Sequence, residues 1–353
     1  MRVAVIGATG NVGTSVVEAL GADPQIASIV GIARRRPVIS MPKTRWVAAD
    51  ITTDDLVPHL RGADVVVHLA WLIQPSHDLA TIRRTNVDGT ARVLDASAAA
   101  GVEALVYASS VGAYSPGPKN DPVDERWSTD GIHTSFYSRH KAETERMLDR
   151  FEAGYPEIRV VRLRPGLIFK RESATGIRRL FAGPFLPNLL LPGGSLPVVP
   201  DTARFVFQTV HAYDVAEAYR LAVVSDVAGA FNIAADPILD PPTLAQHFGA
   251  RMVKVPESAL RIGADVTWRL HLQPTFPGWV DLALESPTLD TSRARDVLGW
   301  KASYSSLDAL SDLLGGIRDG VDFDTPPLAR GTGGPLRLRE LATGIGRRSG
   351  AVR

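Results

Sequence analysis

The 353-residue chain contains no cysteine, which excludes disulfides, thiolate catalysis and cysteine-ligated metals, so its stability must come from packing. Net charge is nearly absent too. The 39 lysines and arginines stand against 38 acids, and the resulting +1 gives no global attraction to nucleic acid or to a membrane surface. No apolar run reaches membrane-spanning length, and the stretch from Met1 to Ile6 is too short for the apolar region of a signal peptide. The expectation is a cytoplasmic protein with neither a nucleic-acid nor a membrane partner. An internal repeat of useful period is also missing. What the chain does hold is 45% hydrophobic residues, enough for a sizeable core.

Those residues fall in short apolar runs separated by stretches of helical spacing. Residues 3–6, 29–32, 65–69, 104–108 and 160–163 predict strands, while 12–20, 79–100 and 137–153 predict helices, the second of them stopped by Gly101. Alternation of this kind predicts an α/β fold with a doubly wound parallel sheet. After Pro165 the texture changes to a proline-broken apolar segment over residues 181–192, which reads as a pocket wall or lid. The chain then returns to the sheet, with a helix ending near Val224 and a strand around Phe231. We therefore expect a nucleotide-binding part over residues 1–165, completed by about 205–235, with 166–204 and 236–320 forming a smaller interleaved substrate part. Residues 321–353, rich in Gly, Pro and Arg, read as a loosely packed basic tail.

The segment Gly7-Ala8-Thr9-Gly10-Asn11-Val12-Gly13 follows the first strand and opens the first helix. Glycines there let a backbone approach a pyrophosphate, and free amides at the helix start favour its oxygens, the arrangement of a Rossmann-like dinucleotide site. About twenty residues beyond Gly13, an NAD site would place an acid for the ribose hydroxyl. Ala33 stands there instead, followed by Arg34, Arg35 and Arg36, whose forked donors suit a 2′-phosphate. NADP is the cofactor this implies, with NAD as the alternative. Asp50 and Ile51 follow the third strand, where they can contact the adenine, although Asp50 also suits a cap before Thr52. Leu69, Ala70 and Trp71 end the fourth strand, and Asn86 can hydrogen-bond across to hold that backbone open. Ser110 closes the fifth strand after Ala108, and Tyr137 and Lys141 stand one helical turn apart. An ammonium beside a phenol would lower its pKa from the usual value of about 10 toward neutrality, where it can pass a proton. Ser110 would hold the substrate oxygen while Lys141 also reaches the ribose of the nicotinamide.

With these residues the chain resembles the extended branch of the short-chain dehydrogenase/reductase superfamily, the NAD-dependent epimerase/dehydratase family. The likeness covers about residues 1–300. Further matches are Arg164-Pro165-Gly166, similar to the motif whose backbone approaches the nicotinamide, His211 and Asp214 in a His-x-x-Asp segment, and the stretch from Asp290 to Trp300, similar to the C-terminal signature helix. The resemblance implies Ser110, Tyr137 and Lys141 as catalytic residues, and it includes members that dimerise through helices of the 79–100 and 137–153 type.

Departures from the pattern narrow the chemistry. Ser110 is followed by Val111-Gly112-Ala113-Tyr114 in place of the acidic pair of a sugar-nucleotide dehydratase. Phe205-Val206-Phe207-Gln208 occupies the place where sugar-nucleotide epimerases carry an arginine, with Arg204 displaced. The expected activity is hydride transfer between NADP and a carbonyl or alcohol carbon of an apolar small molecule. A retained-cofactor epimerase and a non-catalytic sensor are the competing readings. Residues 181–192 together with Trp268, Phe276 and Trp279 are the expected substrate walls, the aromatics lying in a loop marked by Pro274, Pro277 and Gly278.

Overall fold

The computed structural model describes residues 1–73, 78–174, 176, 177, 196–269, 276–321, 323, 325 and 328. Six strands and five helices build the first half: β1 (Arg2–Ile6), α1 (Asn11–Ala22), β2 (Ser28–Ala33), β3 (Thr44–Ala48), α2 (Val57–Leu60), β4 (Val65–His68), α3 (Leu79–Arg83), α4 (Gly89–Ala100), β5 (Ala104–Ala108), α5 (Phe136–Gly154) and β6 (Arg159–Pro165). A seventh strand, Gly229–Ile233, joins the edge beyond β6, giving the order β3-β2-β1-β4-β5-β6 and then Gly229–Ile233. Every pairing is parallel. The doubly wound Rossmann-like sheet expected from the alternation is the fold observed.

A parallel sheet covered on both faces needs apolar side chains on both sides of each strand, and the strands supply them. Val3 and Val5 of β1, with Val65 and Val67 of β4, enter one core with α1 and the helix Ala212–Val224. Ala4, Ile6, Val66, Leu105 and Tyr107 enter the other, beneath α4 and α5. The period of two along each strand thus divides one apolar run between two layers.

Strand order reverses between β1 and β4, so their C-terminal ends diverge and open a crevice where ligands bind in folds of this kind. Gly7 shapes its floor. It adopts φ +85°, and a Cβ there would stand 2.6 Å from the Ala70 nitrogen. Gly13 is constrained from the other side, because a Cβ would lie 2.3 Å from the Gly7 carbonyl oxygen. The loop and the first turn of α1 can be this close only because both residues lack side chains.

Beyond β6 the chain builds a smaller body with its own apolar cluster, including Phe169, Leu239, Leu244, Leu310 and Leu313. Strand Leu167–Phe169 pairs with Thr209–His211, and Val198–Asp201 with Arg251–Lys254. His211 and Asp214 tie the C-terminal region to this body. The His211 ring stacks on Tyr304 at 4.1 Å, and the Asp214 carboxylate accepts from the Ser303 and Tyr304 amides at 2.9 and 3.0 Å.

Three expectations need correction. The helix read over 79–100 is interrupted at Arg84–Asp88 by a π-helical turn, whose wider winding hydrophobic spacing cannot register. The stretch after Pro277 is a helix, Gly278–Glu285, because proline is tolerated where a helix begins. The residues after 320 are not wholly loose either: Thr325 is buried and its hydroxyl donates to the Thr9 carbonyl at 2.9 Å, with Leu328 buried nearby. The proline-broken segment 181–192 lies outside the described residues. No helix among the described residues is long and apolar enough to cross a membrane.

Gly13→Ala should lower unfolding free energy by about 1–3 kcal/mol through overpacking against the Gly7 carbonyl. Chemical denaturation checks this, and an unchanged midpoint would contradict the steric argument.

Candidate active site

One cavity of about 650 Å³ occupies the crevice and runs on into the smaller body. Along one wall lie Gly7, Thr9, Gly10, Asn11, Val12 and Gly13. Gly10 caps α1 in an extended conformation, so the first-turn amides of α1 are left facing the crevice without side-chain partners from the cap. The buried Oδ1 of Asn11 has no hydrogen-bond partner. Bare amides, a cradle that a Cβ would fill and an orphaned acceptor suit a dinucleotide pyrophosphate and its flanking hydroxyls.

Arg34 and Arg35 line the end of the cavity beyond β2, with Ile51 opposite. Burial and the neighbouring Arg34 both lower the proton affinity of Arg35, so an incoming anion would relieve a repulsion already present. Asp50 does not line the cavity. Its Oδ1 accepts from the Thr52 amide and hydroxyl at 2.9 and 2.7 Å, the capping role that the sequence equally allowed. Leu69, Ala70 and Trp71 form the floor after β4. Asn86 stays behind that floor, where the π turn aims its amide at Leu72: the Leu72 amide donates to Oδ1 at 2.7 Å, and Nδ2 donates to the Leu72 carbonyl at 2.9 Å. It holds the floor open without touching the cavity.

Ala108, Ser110, Tyr137, Lys141 and Pro165 meet at the middle of the cavity. Ser135 caps α5 by accepting from the Ser138 amide at 3.4 Å, which sets Tyr137 in the first turn with its ring over Gly112. A Cβ at Gly112 would come within 2.8 Å of that ring. Ser110 lines the cavity beside Tyr137 and acts to lower the pKa of its phenol, and the Ser110 Oγ accepts from the Gly112 amide at 3.0 Å. Trp279 packs on the other face of the Tyr137 ring, centroids 5.1 Å apart.

The acidic phenol expected from Tyr137 and Lys141 is not what the fold produces in the protein alone. Burial pushes the Tyr137 pKa up to about 12 against the lowering effect of Ser110. Lys141 lies with Nζ 6.0 Å from the centre of the Tyr137 ring; it donates to the Ala108 carbonyl at 2.6 Å and sits 3.5 Å over the Trp71 indole. Sharing a helix face brought the two side chains to one cavity, but strand β5 and Trp71 claim the ammonium. Burial pulls the Lys141 pKa down to about 7, opposed by Glu145.

Glu145, one further turn along α5, was not anticipated. It is fully buried, accepts from Ser109 at 2.5 Å, and receives both Nε and Nη2 of Arg164 at 2.9 Å and Arg162 Nη1 at 3.0 Å. Burial opposes its ionisation, but Arg164, Ser109 and Arg162 together hold its pKa down to about 2. Arg164 continues to the Tyr114 hydroxyl at 3.1 Å, and Tyr114 donates to Asn232 at 2.6 Å. The spacing 137, 141, 145 on one helix face was the available signal. Of the expected substrate walls, Trp279 lines the cavity, whereas Phe276 packs on Phe136 at 5.9 Å and Trp268 on Phe276 at 5.1 Å.

A parallel sheet with its switch point at a glycine-lined helix start, and Ser110, Tyr137 and Lys141 at the same crevice, define a doubly wound, Rossmann-like α/β protein. The chain belongs to the NAD dependent epimerase/dehydratase family, whose sequence model matches residues 3–234. It is 28% identical over 321 residues to an uncharacterized protein of Mycobacterium tuberculosis, covering 90% of this chain but only 30% of that longer protein. A 3-diazoavenalumate denitrifying reductase from a Streptomyces species is 29% identical, with 87% of this chain and 97% of the reductase covered. Among solved structures, DesIV, the dTDP-glucose 4,6-dehydratase of Streptomyces venezuelae with NAD bound, superposes at a TM-score of 0.66, with 22% identity and coverage of 90% and 97%. Other relatives carry dehydrogenase names, one of them using NAD or NADP.

Glu145→Gln should destabilise the fold by about 3–5 kcal/mol, since it takes from the buried Arg164 guanidinium the carboxylate it forks onto and leaves Arg162 with Asp149 and Glu152 alone. The sign with pH follows from the depressed pKa. The carboxylate's stabilisation is fully present above the ordinary value of 4.5 and is lost as pH falls from there through about 2. Stability measured between pH 7 and 2 should therefore decline less steeply in the variant than in the parent; parallel curves would refute the assignment.

Proposed function

We propose that this chain is an NADP-dependent oxidoreductase that moves a hydride between the nicotinamide and a carbonyl or alcohol carbon of an apolar small molecule. The observation that carries this reading is the meeting of Ser110, Tyr137 and Lys141 in the same cavity as the glycine cradle. When bound, the dinucleotide supplies or accepts the hydride. Tyr137 handles the proton. The phenol, its pKa raised to about 12 by burial, holds its proton at neutral pH and can donate it to an oxygen gaining negative charge as a carbonyl is reduced. Ser110 holds that oxygen beside the phenol, and the Gly112 amide fixes the position of Ser110. Lys141 uses one of its three donors on the Ala108 carbonyl, leaving two for the ribose hydroxyls of the nicotinamide half.

The preference for NADP rests on Arg34 and Arg35 beside Ala33 at the end of β2, where a carboxylate that would oppose a 2′-phosphate is replaced by forked donors. An apolar substrate is supported by Phe205, Phe207, Leu282 and Leu289 along the rest of the cavity.

Tyr137→Phe should reduce turnover of a carbonyl substrate with NADPH by about 10²–10⁴-fold while leaving dinucleotide binding intact. Retention of most activity would refute the proton-donor role. Arg34→Ala combined with Arg35→Ala should weaken NADPH binding by about tenfold or more and NADH binding far less, since only the former loses charge-assisted bonds. Equal losses in a fluorescence titration would overturn the NADP preference. A substrate that changes configuration without net change in reduced cofactor would replace the reductase reading with epimerisation.

A further inference from the structure

None of the described residues lining the cavity is an aspartate or glutamate, whereas Arg34, Arg35, Lys119 and Lys141 are basic. The first two face the adenosine end and Lys141 the nicotinamide ribose, which leaves Lys119 without a task in the reaction. It is 7% exposed. Its Nζ donates to the Val206 and Ala283 carbonyls, both at 2.8 Å, so one of its three donors is unspent. Among the described residues no carboxylate forms an ion pair with it, and the charged group that acts on it is another cation, Arg204. Arg204 is itself spent on backbone, donating to the Leu284 carbonyl at 2.8 Å and the Gly117 carbonyl at 3.0 Å.

An ammonium taken out of water with only carbonyl dipoles for company, and a second cation beside it, is short of an anion. Burial and Arg204 accordingly lower its pKa to about 7. A latch between Val206 and Ala283 would need two neutral donors and no charge, so the latch alone does not account for a lysine. The surrounding wall is apolar, with Phe207, Leu282, Pro287 and Leu289 lining the same cavity. Helix Gly278–Glu285 relates Lys119 to the reacting centre. Trp279 packs on Tyr137, and Ala283, whose carbonyl Lys119 holds, stands one turn on, about 6 Å along the axis.

We propose that Lys119 is a specificity-determining residue that takes a carboxylate carried at the far end of an apolar substrate from its reacting carbonyl. The proposal rests on the reading of Tyr137 as the proton donor at the other end. It makes the substrate an oxo acid in which an apolar spacer separates the two oxygen functions, and it gives Arg204 a supporting role in the local field.

The test pairs carboxylates with their uncharged primary amides, such as cinnamate with cinnamamide and 4-formylbenzoate with 4-formylbenzamide. Binding is measured by calorimetry on the NADP-loaded protein, and turnover of the formyl pair with NADPH. The parent should prefer acids by about tenfold or more, as expected of a charge-assisted hydrogen bond in a dry site. Lys119→Met should erase that preference while leaving affinity for the amides unchanged, and Lys119→Arg should restore part of it. Equal binding of acid and amide by the parent overturns the proposal, and so does an acid preference that survives in Lys119→Met. A purely structural latch would instead weaken acids and amides alike and lower the melting temperature. Acid-selective binding without turnover of any formyl probe would count against the hydride-transfer reading and leave the carboxylate site standing.

Discussion

The arrangement of this active site depends on one buried charge. Glu145 is removed from water and would be costly alone, yet two guanidinium groups and a hydroxyl converge on it from β6 and the end of β5. Because Glu145 sits on the same face of α5 as Tyr137 and Lys141, its pairing fixes both the height and the rotation of that helix against the sheet. Arg162 extends the anchorage to Asp149 and Glu152 further along α5. The bidentate geometry of Arg164 adds direction, since a fork meeting a carboxylate admits little sliding. The serine after β5 and the tyrosine and lysine of α5 are thus presented by two elements that one ionic cluster locks to each other and to β6.

Much of the fold was legible because parallel strands buried on both faces produce continuous apolar runs, and because Gly101 marks a helix end by chemistry that does not depend on distant contacts. In the glycine-rich loop Gly13 is demanded by its neighbours Gly7 and Ala8, whereas Gly7 is demanded both by its own positive φ and by the distant Ala70 backbone. What escaped the sequence was settled by tertiary contact. Hydrophobic spacing could not distinguish the π turn around Asn86 from ordinary helix. The partner of Lys141 could not be read from its separation from Tyr137, because Trp71 and the Ala108 carbonyl come from other strands. Glu145 looked like any polar residue on an exposed helix until the arginines of β6 were placed beneath it.

Electrostatically the cavity is one-sided. Arg34 and Arg35 stand beyond β2, Lys141 beside Tyr137 and Lys119 beside the helix Gly278–Glu285, with apolar walls between them. In such a low-dielectric trough an anion is attracted at several points, while the neutral hydroxyls of Ser110 and Tyr137 offer hydrogen bonds without net charge.

The contact between Thr325 and the Thr9 carbonyl spans 316 residues. The turn that opens the chain can form early, since β1, β2 and β4 lie within the first seventy residues, yet its final surroundings await a residue close to the other end. During synthesis the glycine-rich loop lacks this contact until Thr325 has emerged. The crevice is thus begun by the residues around β1 and completed by one added 316 positions later.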